Sequence, residues 1–178
     1  MKHTWAIVAG VGLALATAGV QAQAAQVRTS AAPAPLTVSA QGFRLNGKPF
    51  QIISGELEYA RIPRADWRNR LRMVRAMGLN SITVYIFWNL HEPQPRVYDF
   101  SGQNDVAEYL REAQQEGLYV ILRPSPYVCA EWDLGGYPSW LLKDHSMQLR
   151  STQPQFMAAA TRWMHRLGQE LAPLQASH

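Results

Sequence analysis

Ser81-Ile82-Thr83-Val84-Tyr85-Ile86-Phe87 is the stretch on which the fold turns. After Ser81 every residue is β-branched or aromatic, with no polar alternation. Such a run reads as a strand covered on both faces, the habit of parallel sheets. Upstream, Trp67, Leu71 and Val74 recur at i, i+4 and i+7, giving a helix with one buried stripe. Pro63 and Asp66 suit its N-terminal approach, and Gly78 suits its end. Downstream, Asp105 to Glu116 reads as a helix with Val106, Tyr109, Leu110 and Ala113 on one face, stopped by Gly117. Leu118-Tyr119-Val120-Ile121-Leu122 then reads as another buried strand, cut by Arg123-Pro124. A long loop from Ser125 to Arg150 leads into a last helix from Gln153 to Leu171, whose apolar face is Phe156, Ala160, Trp163 and Leu167.

Working back toward the N-terminus, Phe43-Arg44-Leu45 and Lys48-Pro49-Phe50-Gln51-Ile52-Ile53 flank Asn46-Gly47. Asn-Gly suits a type I′ hairpin, because both central residues need positive φ. Ile52-Ile53-Ser54-Gly55 continues as an apolar-to-small strand. Strand and helix therefore alternate, which predicts parallel βα units in an α/β fold. No Gly-rich phosphate turn follows any strand, which argues against a doubly wound nucleotide-binding sheet. The long loops after the second and third strands are rich in Trp, Tyr, His and Glu, as on the chemistry-bearing face of a (β/α)₈ TIM barrel. Such a barrel typically takes about 250 residues. The expectation is an N-terminal portion of a barrel, about three βα units, preceded by a β-hairpin and with apolar strand edges left open.

At the very start, Lys2 and His3 precede an apolar stretch, Trp5 to Val20, followed by Val20-Gln21-Ala22 and Ala22-Gln23-Ala24. Small residues at those positions are what a signal peptidase reads, so residues 1–24 are expected to be a signal peptide directing export, periplasmic or secreted, with an uncleaved anchor as the alternative. Residues 25–41 read as a linker and 42–178 as the partial barrel domain. The chain has 178 residues, 17 basic against 13 acidic, one Cys and 47% hydrophobic residues, which excludes intrinsic disorder and a disulfide-stapled scaffold. A net charge of +4, with no dense basic run, gives no case for nucleic acid. No membrane association is expected beyond export, and the oligomeric state is left open.

Two segments carry chemistry: Trp88-Asn89-Leu90-His91-Glu92-Pro93 and Tyr127-Val128-Cys129-Ala130-Glu131-Trp132. Aromatic rings stack on the C–H face of a sugar while carboxylates and amides take its hydroxyls. Paired carboxylates also suit glycoside hydrolysis, and on residue type alone Glu92 and Glu131 are the candidates. The competing structural reading has Trp88, Trp132 and Trp140 filling a barrel rim, Glu92 capping a loop and His91 serving as a hydrogen-bonded scaffold residue. Cys129 lacks any local cysteine-protease motif. HExxH is absent and His145 and His165 lack zinc spacing, so no metal or organic cofactor is expected. Glu56 and Glu58 share one strand face by period 2, and Arg64, Arg68, Arg72 and Arg75 read as a solvated helix surface.

Ser54-Gly55-Glu56-Leu57-Glu58-Tyr59-Ala60-Arg61-Ile62-Pro63 resembles the first barrel strand and turn of the family 35 glycoside hydrolases, the β-galactosidases. Tyr85 through Pro93, Arg123 through Trp132 and Gly135-Gly136-Tyr137-Pro138-Ser139-Trp140-Leu141 are similar to the strand ends and loop that follow. The resemblance runs from Gly42 to Gln175. It implies a retaining enzyme that removes terminal β-linked galactose, with a β-galactoside as its partner molecule. It also implies that Tyr85, Cys129, Ala130 and Glu131 are substrate-binding, which makes Glu131 a hydroxyl binder instead of acid or nucleophile. In the family the acid/base Glu lies in an Asn-Glu-Tyr-Gly segment on the next strand and the nucleophile comes later. Neither is present in these 178 residues, so both are expected downstream. This chain departs from the family pattern at Glu58, where His is usual, and at Ser125 and Arg96, where Gly is usual. Arg96 is expected to strain its turn.

Overall fold

A computed structural model describes residues 36–124 and 126–175. The expected signal peptide and the first part of the expected linker lie outside those residues. Two three-stranded sheets form, one antiparallel and one parallel. The first comprises β1 (Leu36–Ser39), β2 (Gly42–Leu45) and β3 (Lys48–Pro49). Its tight turn is the expected one: Asn46 has φ 49° and Gly47 φ 77°, closed by the pairing of Leu45 with Lys48. β1 corrects the reading of 25–41 as linker throughout. Leu36 pairs with Leu45 and Val38 with Phe43, so the backbone of this short segment, whose Leu36-Thr37-Val38-Ser39 alternates apolar and polar residues, finds its partners in the hairpin.

The second sheet comprises β4 (Ser54–Glu56), β5 (Ser81–Tyr85) and β6 (Tyr119–Arg123), parallel and in chain order. Helix α1 (Trp67–Ala76) connects β4 to β5, α3 (Val106–Gln115) connects β5 to β6, and α4 (Pro154–Leu171) follows β6. β5 stops at Tyr85, two residues short of the expected Phe87, and a short helix, α2 (Trp88–His91), follows with Phe87 as its extended N-cap. Asn80 ties the sheet's entry side together. Its carboxamide accepts from the Ile53 N–H (2.9 Å) and donates to the Gln51 carbonyl (2.7 Å), while its own carbonyl accepts from the Tyr119 N–H (2.9 Å). One residue, through its side chain ahead of β4 and its backbone carbonyl at β6, thus ties together the starts of the three strands.

β5 is the central strand and, as expected, is buried nearly throughout. Ile82 and Val84 join Tyr59, Trp67, Leu71, Tyr109 and Ala113 in the core. β6 departs from its reading as a strand covered on both faces: Tyr119 is 49% and Ile121 39% exposed. It has β5 on one side only, and α4 lays its apolar face elsewhere. Trp163 stacks on Trp88 (centroids 6.0 Å, interplanar angle 8°) and on Phe100 (6.3 Å, 2°), and Phe156 meets Tyr137 edge-on. The arginine row of α1 and of the turn before it is not simply solvated either. Arg68 and Arg72 both reach Glu116 (2.8 and 3.1 Å) and Arg64 reaches Asp105 (3.3 Å), so this charged row ties α1 to both ends of α3. These pairs are largely exposed and contribute geometry more than stability.

Asp105 also caps α3, its Oδ1 accepting from the Glu108 N–H at 3.0 Å. Asp105→Ala is expected to lower stability by about 1 kcal/mol in urea denaturation, and Asp105→Asn, which keeps the acceptor, to lose distinctly less. Equal losses in the two variants would show that the cap contributes nothing.

Candidate functional site

The C-terminal ends of the three parallel strands place Glu56, Tyr85 and Arg123 in neighbouring positions. Arg123 lies over the Tyr85 ring, 4.1 Å from its centroid, and approaches Glu56 at 4.0 Å. The cation–π contact fixes the ring on its strand end. Tyr85 is 3% exposed. Among the described residues its hydroxyl has no hydrogen-bond partner, yet it is not among the oxygens sealed from solvent.

The loop after β6 carries the other three residues that the resemblance implied. Cys129 and Glu131 are exposed and Ala130 is buried. What holds the backbone of Ala130 and Glu131 is Arg61, a residue of the Ser54–Pro63 stretch to which the sequence reading gave no role. Its guanidinium donates to the Ala130 carbonyl and, at 3.1 Å, to the Glu131 carbonyl, and it stacks over Trp132 at 5.2 Å. Trp132 packs against Phe87 (4.2 Å) and donates to Asn89 Oδ1 (3.1 Å). Glu131 has φ 45° and Leu134 φ 47°, left-handed positions that a non-glycine residue occupies only where its surroundings impose them. The loop then closes on itself: the Gly135 N–H donates to the Trp132 carbonyl and the Val128 N–H to the Gly135 carbonyl. At Gly135 (φ 60°) a Cβ would sit 2.1 Å from the Tyr127 ring, so the close approach requires glycine.

The loop after β5 is frame, not site. Glu92, a candidate on residue type, is fully enclosed. Its Oε2 accepts from Trp88 Nε1 (2.5 Å) and its Oε1 from the Arg96 N–H (2.7 Å), while its carbonyl accepts from Trp140 Nε1 (2.9 Å). A carboxylate with both oxygens committed to its own turn has none left for a sugar, so the loop-capping reading holds. It also explains how Arg96 tolerates φ 66° in the turn, since its N–H is held by a charged acceptor. His91 is likewise scaffold. Its Nδ1–H donates to the Asp99 carbonyl (2.9 Å), leaving Nε2 to accept from the Tyr59 hydroxyl (2.6 Å). Burial pushes its pKa down to about 4, so the ring is neutral.

Glu58 stands apart. It is buried, and neither of its oxygens has a hydrogen-bond partner among the described residues. Burial, followed by the neighbouring Glu56 carboxylate, raises its pKa to about 7, with the Tyr85 backbone and Arg61 opposing. Among the described residues no three His, Cys, Asp or Glu side chains cluster as metal ligands would.

The profile of glycosyl hydrolases family 35 matches residues 42–178. The chain belongs to that family. Curated relatives include the beta-galactosidase of Xanthomonas manihotis, 49% identical over 140 residues, which are 78% of this chain and 23% of the relative. The beta-galactosidase of Mus musculus is 48% identical over 78% of this chain and 22% of its own length. The chain thus spans about a fifth of the length of such relatives. Among solved structures, the exo-beta-1,4-mannosidase of Opitutaceae bacterium strain TAV5 superposes with a TM-score of 0.59 at 14% identity, covering 82% of this chain and 26% of that one. A GH5_18 protein of Streptomyces cattleya gives 0.56 at 18% identity, over 68% of this chain and 30% of that one. These likenesses concern the fold alone, the α/β arrangement of TIM-barrel glycosidases.

Because the folded-state pKa of Glu58 exceeds its ordinary value of 4.5, its favourable contribution is complete below pH 4.5 and is lost as pH rises through about 7. Glu58→Gln is expected to leave stability at pH 4 nearly unchanged and to raise it at pH 8 by about 1–2 kcal/mol. Thermal melts across that range test this, and a wild-type-like pH profile in the variant would refute it.

Proposed function

We propose that this chain supplies the sugar-binding end of the first three βα units of a (β/α)₈ β-galactosidase, a retaining enzyme acting on terminal β-linked galactose. The observation that carries the reading is the Arg61 clamp. It fixes the backbone of Ala130 and Glu131 while leaving the Glu131 carboxylate exposed, next to strands that end in Tyr85 and Arg123. An exposed carboxylate and an uncommitted phenol suit hydroxyl recognition. The Cys129 and Ala130 segment would form the wall beside them.

No Asn-Glu-Tyr-Gly segment occurs in the sequence, so neither acid/base nor nucleophile is assigned to any residue here. The part proposed for this chain is to bind and orient the galactose, on which bond cleavage by a carboxylate pair depends. In this reading residues 42–178 belong to the catalytic domain and residues 1–24 direct export, the latter supported by the apolar stretch Trp5 to Val20 and the small residues that follow it.

Replacing the matching segment of the Xanthomonas manihotis β-galactosidase with residues 42–175 of this chain tests the proposal. The chimaera is expected to hydrolyse a chromogenic β-galactoside. In it, Tyr85→Phe and Glu131→Gln should each lower kcat/KM by roughly tenfold or more, a loss of about 1.4 kcal/mol or more in transition-state binding. Trp163→Phe, on the buried face of α4, should affect folding stability more than kcat/KM. A folded but inactive chimaera, or one indifferent to both site substitutions, would defeat the assignment.

A further inference from the structure

A second arginine touches the loop after β6. Arg61 takes the backbone at Ala130 and Glu131, whereas Arg150, just ahead of α4, takes a side chain at the start of the same loop. Its guanidinium lies over the Tyr127 ring, 4.0 Å from the centroid. Tyr127 immediately precedes Val128, whose N–H closes the loop on the Gly135 carbonyl at 2.8 Å. The Tyr127 ring fills the space that a Cβ on Gly135 would need, and it leans on Tyr137 (5.8 Å, 48°). Tyr137 is buried and meets Phe156 of α4 and Trp88 of α2 edge-on. The ring thus rests on the frame, and the exposed Arg150 covers it. Arg150 is held there by a built turn at φ 55°, a left-handed position that an arginine does not choose by itself. On either side of it, the Gln153 side chain accepts from the Gln148 N–H (2.7 Å) and donates to the Ser146 carbonyl (2.9 Å). The Ser151 hydroxyl donates to the Gln148 carbonyl (2.7 Å) and accepts from the Gln153 N–H (3.1 Å).

We infer that Arg150 is a positioning residue for sugar recognition, acting through the Tyr127 ring on the segment Cys129 to Glu131. This rests on the sugar-binding reading of that segment. A planar guanidinium over an aromatic ring combines cation–π attraction with stacking. Arg150 fixes the loop at residue 127 and Arg61 at residues 130 and 131, so the short stretch between them has little freedom. Release of the Tyr127 end loosens the bond from Val128 to Gly135 and lets the Glu131 carboxylate sample more positions. Ordering it again then has to come out of the free energy of binding the sugar.

Hydrogen exchange of the Val128 amide in the full 178-residue chain reads the loop directly, with the Val84 amide of β5 as the reference for global unfolding. Arg150→Met is expected to speed Val128 exchange about two- to fivefold, the effect of one exposed cation–π contact, and to leave Val84 unchanged. Arg150→Lys, which keeps the cation, is expected to change it less. Tyr127→Leu should give the same acceleration, with Arg150→Met adding nothing to it, because the two groups act as one contact. In the galactosidase chimaera Arg150→Met should raise KM by a similar factor with kcat retained, whereas a mere loss of folded protein lowers kcat and leaves KM alone. Unchanged Val128 exchange in Arg150→Met, additive effects of the two substitutions, or an active chimaera whose KM ignores Arg150→Met while responding to Glu131→Gln would each overturn the inference. Indifference to Glu131→Gln as well would instead remove the sugar-site reading, and the exchange rates would still decide whether Arg150 holds the loop.

Discussion

The hydrogen bond from the Tyr59 hydroxyl to His91 Nε2 joins two segments that the chain leaves far apart, the exit of β4 and the exit of β5. Both partners are fully buried, so the bond forms where an unmet polar group would be costly. Its polarity follows from the next link, because the Asp99 carbonyl takes the proton on Nδ1 and leaves Nε2 as an acceptor. Around it Tyr59 packs on Trp67, Phe87 and Tyr109, and its carbonyl accepts from Trp67 Nε1 and Gln103 Nε2. Removing the histidine would therefore strand a phenol in the core and loosen the joint from which Arg61 extends, two residues further on.

From that joint the organisation spreads by aromatic stacking. His91, Phe100, Trp163 and Trp88 have rings within 20° of parallel where they meet, and Glu92 closes the stack by holding the Trp88 indole. This explains why α4 docks on the turn after α2 instead of covering β6. The richest apolar surface available to its Trp163 face is the ring stack, and large aromatic contacts outweigh the smaller aliphatic ones β6 offers. The exposed Tyr119 and Ile121 of β6 have a different origin: they register with Ser81 and Thr83, on the sheet face opposite to that of Ile82 and Val84, which meet the helices.

Much of this was legible in the residues. The unbroken apolar character of Ser81 to Phe87, the Asn46-Gly47 turn and the face of α4 all stand in the structure where their chemistry placed them. The same local reasoning failed where burial and contact depend on distant partners. Apolar composition could not show that Tyr119 and Ile121 would lie on an uncovered side of β6, nor a Ser- and Val-containing segment that it would find the hairpin edge. At the site, residue type nominated Glu92 and Glu131 alike. Only the hydrogen bonds separate a carboxylate spent on its own turn from one left open. Arg61 escaped notice for a related reason: it acts across 69 and 70 residues of sequence on backbone carbonyls, an interaction that leaves no side-chain pattern to read.

That choice of backbone acceptors has an evolutionary consequence. A clamp that grips the carbonyl oxygens of residues 130 and 131 makes no use of their side chains, so the side-chain limits there come from elsewhere, from the burial of Ala130 and the left-handed φ of Glu131. Within those limits, substitution can alter what the loop presents without altering where it is presented. Arg61 has no such latitude, because shortening it or removing its fork would release the loop whatever its sequence. Variation in what the exposed side chains of this segment display is thus separable from the path of its backbone, with the tolerance on one side of the contact and the constraint on the other.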